Sequence, residues 1–149
     1  TLCHYNAQNV LSMYALIGAY RDEGMSYHYA PPADYIEVKN HAFVASALDS
    51  LGVGYVTGRT WTTDAFYRET DLLCARRRAE GCIAVEMEVS AVQAVADFYG
   101  LELYNFLYRA DNLDAASWES SYLSDMPHDE RLSHFYVALE LAYRAAERN

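Results

Sequence analysis

A chain of 149 residues, 52% hydrophobic and 21% charged, is long enough for one globular domain with a substantial core and too short for two. Its formal charge of −10 argues against a nucleic-acid surface, because affinity for a phosphate backbone needs clustered Lys and Arg, and the single basic run is Arg76-Arg77-Arg78. No apolar run reaches the length of a membrane span and the start has no signal-peptide pattern, so the expected setting is the cytoplasm with no membrane partner.

Residues 1–8 show no periodicity, and a start at Thr1 rather than Met reads as a processed product or a piece of something longer. Residues 10–20 are apolar with small residues at Ser12, Ala15, Gly18 and Ala19, the pattern of a buried strand. Residues 21–32 read as an irregular loop closed by Pro31-Pro32. A helix is expected over 34–51, with Phe43, Val44, Ala47, Leu48 and Leu51 on one side and Gly52 as its stop. Residues 54–62 form a β-rich run. A helix over 68–80 follows, with Leu72, Leu73 and Ala75 or Ala79 inward and the three arginines on a solvated face.

Residues 82–85 are short, continuous and apolar, as a strand covered on both faces should be. Val89, Val92, Ala96 and Tyr99 then recur at helical spacing, and Gly100 ends that helix. Residues 101–108 read as a second apolar strand. Residues 113–126 are polar and turn-rich around Trp118, and Pro127 and Asp129 introduce a closing helix. Its stripe of Leu132, Phe135, Tyr136, Leu139, Ala142 and Tyr143 is expected to face the core. Cys3, Cys74 and Cys82 form no CxxC, and the five histidines lack ligand spacing, so neither a disulfide framework nor a metal site is indicated.

The junction Val85-Glu86-Met87-Glu88-Val89 carries the chemistry. A charge at the end of a buried strand is poorly solvated and needs a partner, and in open α/β sheets that end is where ligands bind. Structure alone offers another reading, in which Glu88 caps the following helix and Glu86 points to solvent.

Val-Glu-Met-Glu before a small-residue helix resembles the ribose-binding motif of the nucleoside phosphorylase superfamily, which includes purine nucleoside phosphorylases, uridine phosphorylases and methylthioadenosine nucleosidases. Three further stretches agree with it in order: Arg21-Asp22-Glu23-Gly24-Met25-Ser26-Tyr27-His28-Tyr29-Ala30-Pro31, Thr62-Thr63-Asp64-Ala65-Phe66-Tyr67, and Ala110-Asp111. The resemblance implies an α/β fold in three layers, a central mostly parallel or mixed sheet with helices on both faces, in which 82–85 and 101–108 are strands. It also implies that the first third of a typical member has no counterpart here.

For the site, the resemblance implies that Glu88 accepts hydrogen bonds from the vicinal ribose hydroxyls, with Glu86 beside it, and that Met87 packs under the sugar. Phe66 would lie against the nucleobase, where the alternative is an ordinary core phenylalanine. Asp111 would be catalytic, sharing a proton with the purine ring, where the alternative is an Asx turn. The short segment between Phe66 and Glu86 is the version found in purine-type members and nucleosidases. The co-substrate would be inorganic phosphate, with no metal or organic cofactor, although the family's phosphate-binding glycine loop has no counterpart in this chain. Two functions follow: cleavage of a purine nucleoside, by phosphate or by water, or a nucleoside-binding or purely structural remnant without turnover. Apolar strands lacking part of the family sheet also imply a homo-oligomer, a dimer being the simplest closed form.

Overall fold

The computed structural model describes residues 13–108 and 127–148. Among these residues five strands form one mixed sheet: β1 (Met13–Asp22), β2 (Tyr35–Glu37), β3 (Tyr55–Thr63), β4 (Cys82–Glu86) and β5 (Leu107–Tyr108). Their order is β2-β1-β3-β4, with β5 also paired to β1. β1, β3 and β4 run parallel, while β2 and β5 are antiparallel to β1 at its two ends. Among the described residues four α-helices accompany them, α1 (His41–Ser50), α2 (Asp71–Ala79), α3 (Val89–Tyr99) and α4 (His128–Arg148). None of the described helices is long and apolar enough to cross a membrane.

Strand alternation places helices on both faces of the sheet. Met13 packs with Val44, Ala47 and Leu48 of α1 and with Val137 and Leu141 of α4. Further along the same face, Trp61, Cys82 and Val85 pack with Cys74 of α2, and Tyr20 and Tyr35 lie against them. The opposite face sends Tyr14, Leu16 and Ala19 against Val38 and against Val89 of α3. The three-layer expectation therefore holds. Register slips lie in β1, between Leu16 and Gly18, and in the β3–β4 pair, between Arg59 and Thr60, and each resets the alternation, so that Leu16 and Ala19 share one face although they stand three apart.

Several local expectations are corrected. The helix expected from residue 34 begins at His41, because Tyr35–Glu37 pairs with β1 instead. Only Leu107–Tyr108 of the strand expected over 101–108 joins the ladder. The residues before it are held by side chains of α1 and its cap: the Asn40 side-chain amide donates to the Leu103 carbonyl (3.2 Å), and Tyr104 packs on Phe43 (5.0 Å between rings).

α4 turns His134, Val137, Leu141 and Ala145 inward and leaves the expected stripe of Leu132, Phe135, Tyr136, Leu139, Ala142 and Tyr143 exposed. α2 buries Cys74 and Arg77 and exposes Leu72. Arg77 is therefore not part of a solvated face: its guanidinium lies over the Tyr20 ring (3.3 Å to the centroid) and pairs with Glu80. The Tyr35 hydroxyl donates to the same Glu80 (2.7 Å). Burial draws the Glu80 carboxyl upward, but the bonds from Tyr35 and Arg76 and the charge of Arg77 outweigh it and hold the group below its ordinary value.

Candidate nucleoside site

β4 delivers its acids to the carboxyl edge of the sheet, where Glu86 pairs with Thr62 of β3. One Glu86 carboxylate oxygen, Oε2, accepts the backbone N–H groups of Glu88 (2.8 Å) and Val89 (2.6 Å). The other, Oε1, accepts the hydroxyls of Thr60 (3.2 Å) and Thr62 (2.5 Å). Four protein donors thus surround this carboxylate, and two of them are N–H groups that an α-helix leaves unpaired at its start. Burial nevertheless dominates and lifts the Glu86 carboxyl above its ordinary value, the hydrogen bonds opposing it.

Glu88 stands at the cap position of α3 without making a side-chain cap bond. It is exposed, and its carboxylate meets the Met87 N–H at 3.3 Å. The reading in which Glu88 caps the helix and Glu86 faces water is therefore inverted. Glu86 serves the helix, and Glu88 is left with acceptor capacity for something outside the chain.

Phe66 follows β3 at the same sheet edge, on a 3-10 turn over Phe66–Arg68. It is 74% exposed and touches Tyr67 edge-to-face, so the core fate open to a phenylalanine does not apply. Met87 is also exposed, at 46%. Phe66 and the Glu86-Met87-Glu88 run thus stand at the carboxyl ends of neighbouring parallel strands, the position that favours ligands in α/β folds. Asp111, together with Arg109, Ala110 and the turn-rich 113–126 stretch, lies outside the described residues.

The loop after β1 is built around Arg21, which is 3% exposed. Its Nε donates to Ser26 Oγ (2.9 Å) and its Nη1 to the Pro31 carbonyl (2.6 Å), while the guanidinium stacks on Tyr27 (4.2 Å). Those bonds commit this arginine to shaping the loop. Next to it, Glu23 accepts the Ser26 N–H (3.0 Å) and the Ser90 hydroxyl (2.6 Å). Burial pushes the Glu23 carboxyl up, but the bonds from Ser26 and Ser90 more than offset this and hold it below the usual range.

Glu23 and Thr62 stood within the stretches that carry the resemblance but were given no role, and Thr60 and Ser90 were not singled out by sequence reasoning. The signal available was the threonines at 60 and 62, polar residues recurring every second position of a strand otherwise fit for burial.

The family model for the phosphorylase superfamily matches residues 15–144. The chain belongs to that superfamily. Purine nucleoside phosphorylase DeoD-type of Bacillus cereus is 28% identical over 128 residues, covering 84% of this chain and 52% of that protein. The proteins of the same description in Bacillus thuringiensis (strain Al Hakam) and Bacillus mycoides (strain KBAB4) show the same identity and coverage. The chain thus spans about half the length of the curated relatives it matches.

Among solved structures of the fold, purine nucleoside phosphorylase from Toxoplasma gondii, in complex with immucillin-H, superposes with a TM-score of 0.74 at 14% identity, covering 93% of this chain and 57% of that one. AMP nucleosidase from Bacteroides thetaiotaomicron superposes with a TM-score of 0.64 at 19% identity, covering 97% and 57%. At such identities these two likenesses establish the fold of the phosphorylase superfamily and no more.

Proposed function

We propose that this phosphorylase-superfamily chain binds a purine nucleoside and cleaves its N-glycosidic bond with inorganic phosphate as nucleophile. The observation that carries the reading is the division of labour between the two acids: Glu86 is occupied by four protein donors, while Glu88 is exposed and accepts only the Met87 N–H, at 3.3 Å, among the described residues. A carboxylate so placed accepts both vicinal hydroxyls of a ribose. Met87 lies beneath the sugar, and Phe66 offers the base a flat face, worth on the order of 1–3 kcal/mol of stacking.

In this reading Asp111 gives a proton to the purine as the bond from its ring nitrogen to the anomeric carbon breaks. A phosphate oxygen closes on that carbon from the opposite face and yields ribose 1-phosphate. The purine assignment is supported by the names of the relatives and by the short segment between Phe66 and Glu86. No metal or organic cofactor enters this chemistry. The protein acts as a homo-oligomer in the cytoplasm, since exposed Phe66 and Met87 need cover to exclude water from a developing cation. That same exposure favours a second reading, nucleoside binding without turnover.

Hypoxanthine release from inosine in phosphate tests the proposal. Wild type should release the base, and Glu88→Ala should lower kcat/KM by about 100-fold, the loss of two hydrogen bonds to a charged acceptor at roughly 1.5 kcal/mol each. A Glu88→Ala variant as active as wild type would overturn it.

A further inference from the structure

We propose that the adjacent acids Asp22 and Glu23 are positioning residues that hold the two halves of the nucleoside site independently, Asp22 the turn carrying Phe66 and Glu23 the first turn of α3 beside Glu88. The inference rests on the reading of that site as nucleoside-binding.

Asp22 is the last residue of β1 and Glu23 the first beyond it, and their side chains bond to different layers. The Asp22 carboxylate receives the Trp61 indole N–H (3.1 Å) and the fork of Arg68, through Nε (2.9 Å) and Nη2 (2.8 Å). Arg68 belongs to the three-residue turn that begins at Phe66. That turn has no side-chain cap, and the backbone bonds at its end are local, Arg68 N–H to Ala65 (2.9 Å) and Glu69 N–H to Phe66 (3.0 Å). A planar two-point bond from Arg68 to Asp22 therefore fixes both its distance and its orientation relative to the sheet.

Glu23 acts on the other layer. It is 7% exposed, and its second oxygen takes the Ser90 hydroxyl. The Ser90 N–H donates to the Thr62 hydroxyl (3.1 Å), that hydroxyl donates to Glu86, and Glu86 receives the Glu88 N–H. The chain of bonds runs from the β1 loop across the end of β3 to the backbone of Glu88. Its inner links are buried or partly buried, where such a network holds its geometry tightly. Asp22 and Glu23 thus lead to different ligand-facing residues through bonds that share no side chain.

The test compares Asp22→Asn and Glu23→Gln in the full chain, with Ser90→Ala cutting the Glu23 link from its far side should Glu23→Gln fold poorly. Inosine and 2′-deoxyinosine are the probes, because only the first presents both hydroxyls to Glu88. In Glu23→Gln the preference for inosine over 2′-deoxyinosine in kcat/KM should shrink by about 10-fold, the equivalent of one misplaced hydrogen bond. In Asp22→Asn the preference should persist while KM rises for both substrates alike.

Amide hydrogen exchange, read by NMR without substrate, should quicken at 88–90 only in Glu23→Gln and at 66–69 only in Asp22→Asn. If wild type binds no nucleoside, the functional reading fails, and the exchange pattern still decides the bracing. Equal quickening of both segments in both variants, in step with a fall in Tm, would overturn the proposal in favour of general stabilisation. So would an unchanged exchange pattern, or an inosine preference untouched by Glu23→Gln in an active enzyme.

Discussion

Replacing Glu86 with alanine should destabilise the fold by about 3 kcal/mol. Loss of a helix N-terminal acceptor costs about 1 kcal/mol, and each buried group left unpaired adds about 1–3 kcal/mol. Here the Val89 N–H and the Thr62 hydroxyl lose that acceptor, whereas the Thr60 hydroxyl can turn its one proton to the Ala84 carbonyl (3.2 Å) and the Glu88 N–H lies where water reaches it. In a chain of this size the penalty corresponds to a fall in Tm of about 10 °C.

Glu86→Gln keeps the shape and one acceptor, and should cost about 1 kcal/mol. Its comparison with wild type also fixes the sign of a pH effect. Burial lifts the Glu86 carboxyl above its ordinary 4.5, so the folded chain holds this proton more tightly than the unfolded chain does. That contribution to stability is complete below the unfolded pKa and is lost as pH rises through the folded one. Urea unfolding of both proteins between pH 4 and pH 8 should therefore show the advantage of wild type over Glu86→Gln narrowing as pH rises. An advantage that widens with pH would mean that the four donors outweigh burial, and the electrostatic account of this junction would be wrong.

Three further substitutions probe the frame and the site. A Cβ on Gly58 would sit 2.7 Å from Ile83 Cδ1 and under 3 Å from both its γ carbons, so Gly58→Ala should cost about 1–3 kcal/mol in urea melts, and Ile83→Ala should restore part of it. Arg77→Ala removes a buried cation from the Tyr20 ring and from Glu80, and a loss of about 3 kcal/mol is expected by thermal unfolding; no loss would show that the guanidinium contributes nothing net. Glu88→Ala should leave Tm within about 2 °C, since the side chain is exposed and caps nothing, and should weaken nucleoside binding by calorimetry. A large fall in Tm would assign Glu88 to the scaffold instead.

The elements legible in the sequence were those whose signal is local. Gly100 adopts the left-handed conformation (φ 66°) that ends α3, and the short apolar run at 82–85 became β4 with one residue added. What sequence reasoning lost depended on distant partners. Tyr35–Glu37 is a strand only because β1 offers it an edge, and residues 101–106 stay out of the ladder because side chains of α1 and its cap hold them.

α4 carries apolar residues nearly all round, so periodicity permitted two faces. The large aromatics suggested the wrong one, and packing against α1 selected Val137 and Leu141. At the site, the resemblance named Glu86, Met87, Glu88 and Phe66 together but not how Glu86 and Glu88 divide their tasks. That division follows from the threonines of β3, which claim Glu86 from the neighbouring strand.

Phosphorus NMR of the full chain incubated with inosine and inorganic phosphate measures the proposed chemistry directly, because it reports where the ribose goes. The account predicts a ribose 1-phosphate resonance growing as the phosphate signal declines, and no such signal from Glu88→Ala. Free ribose with phosphate unconsumed would make the protein a hydrolase, and intact inosine bound without cleavage would leave a nucleoside-binding protein; either result would contradict phosphorolysis.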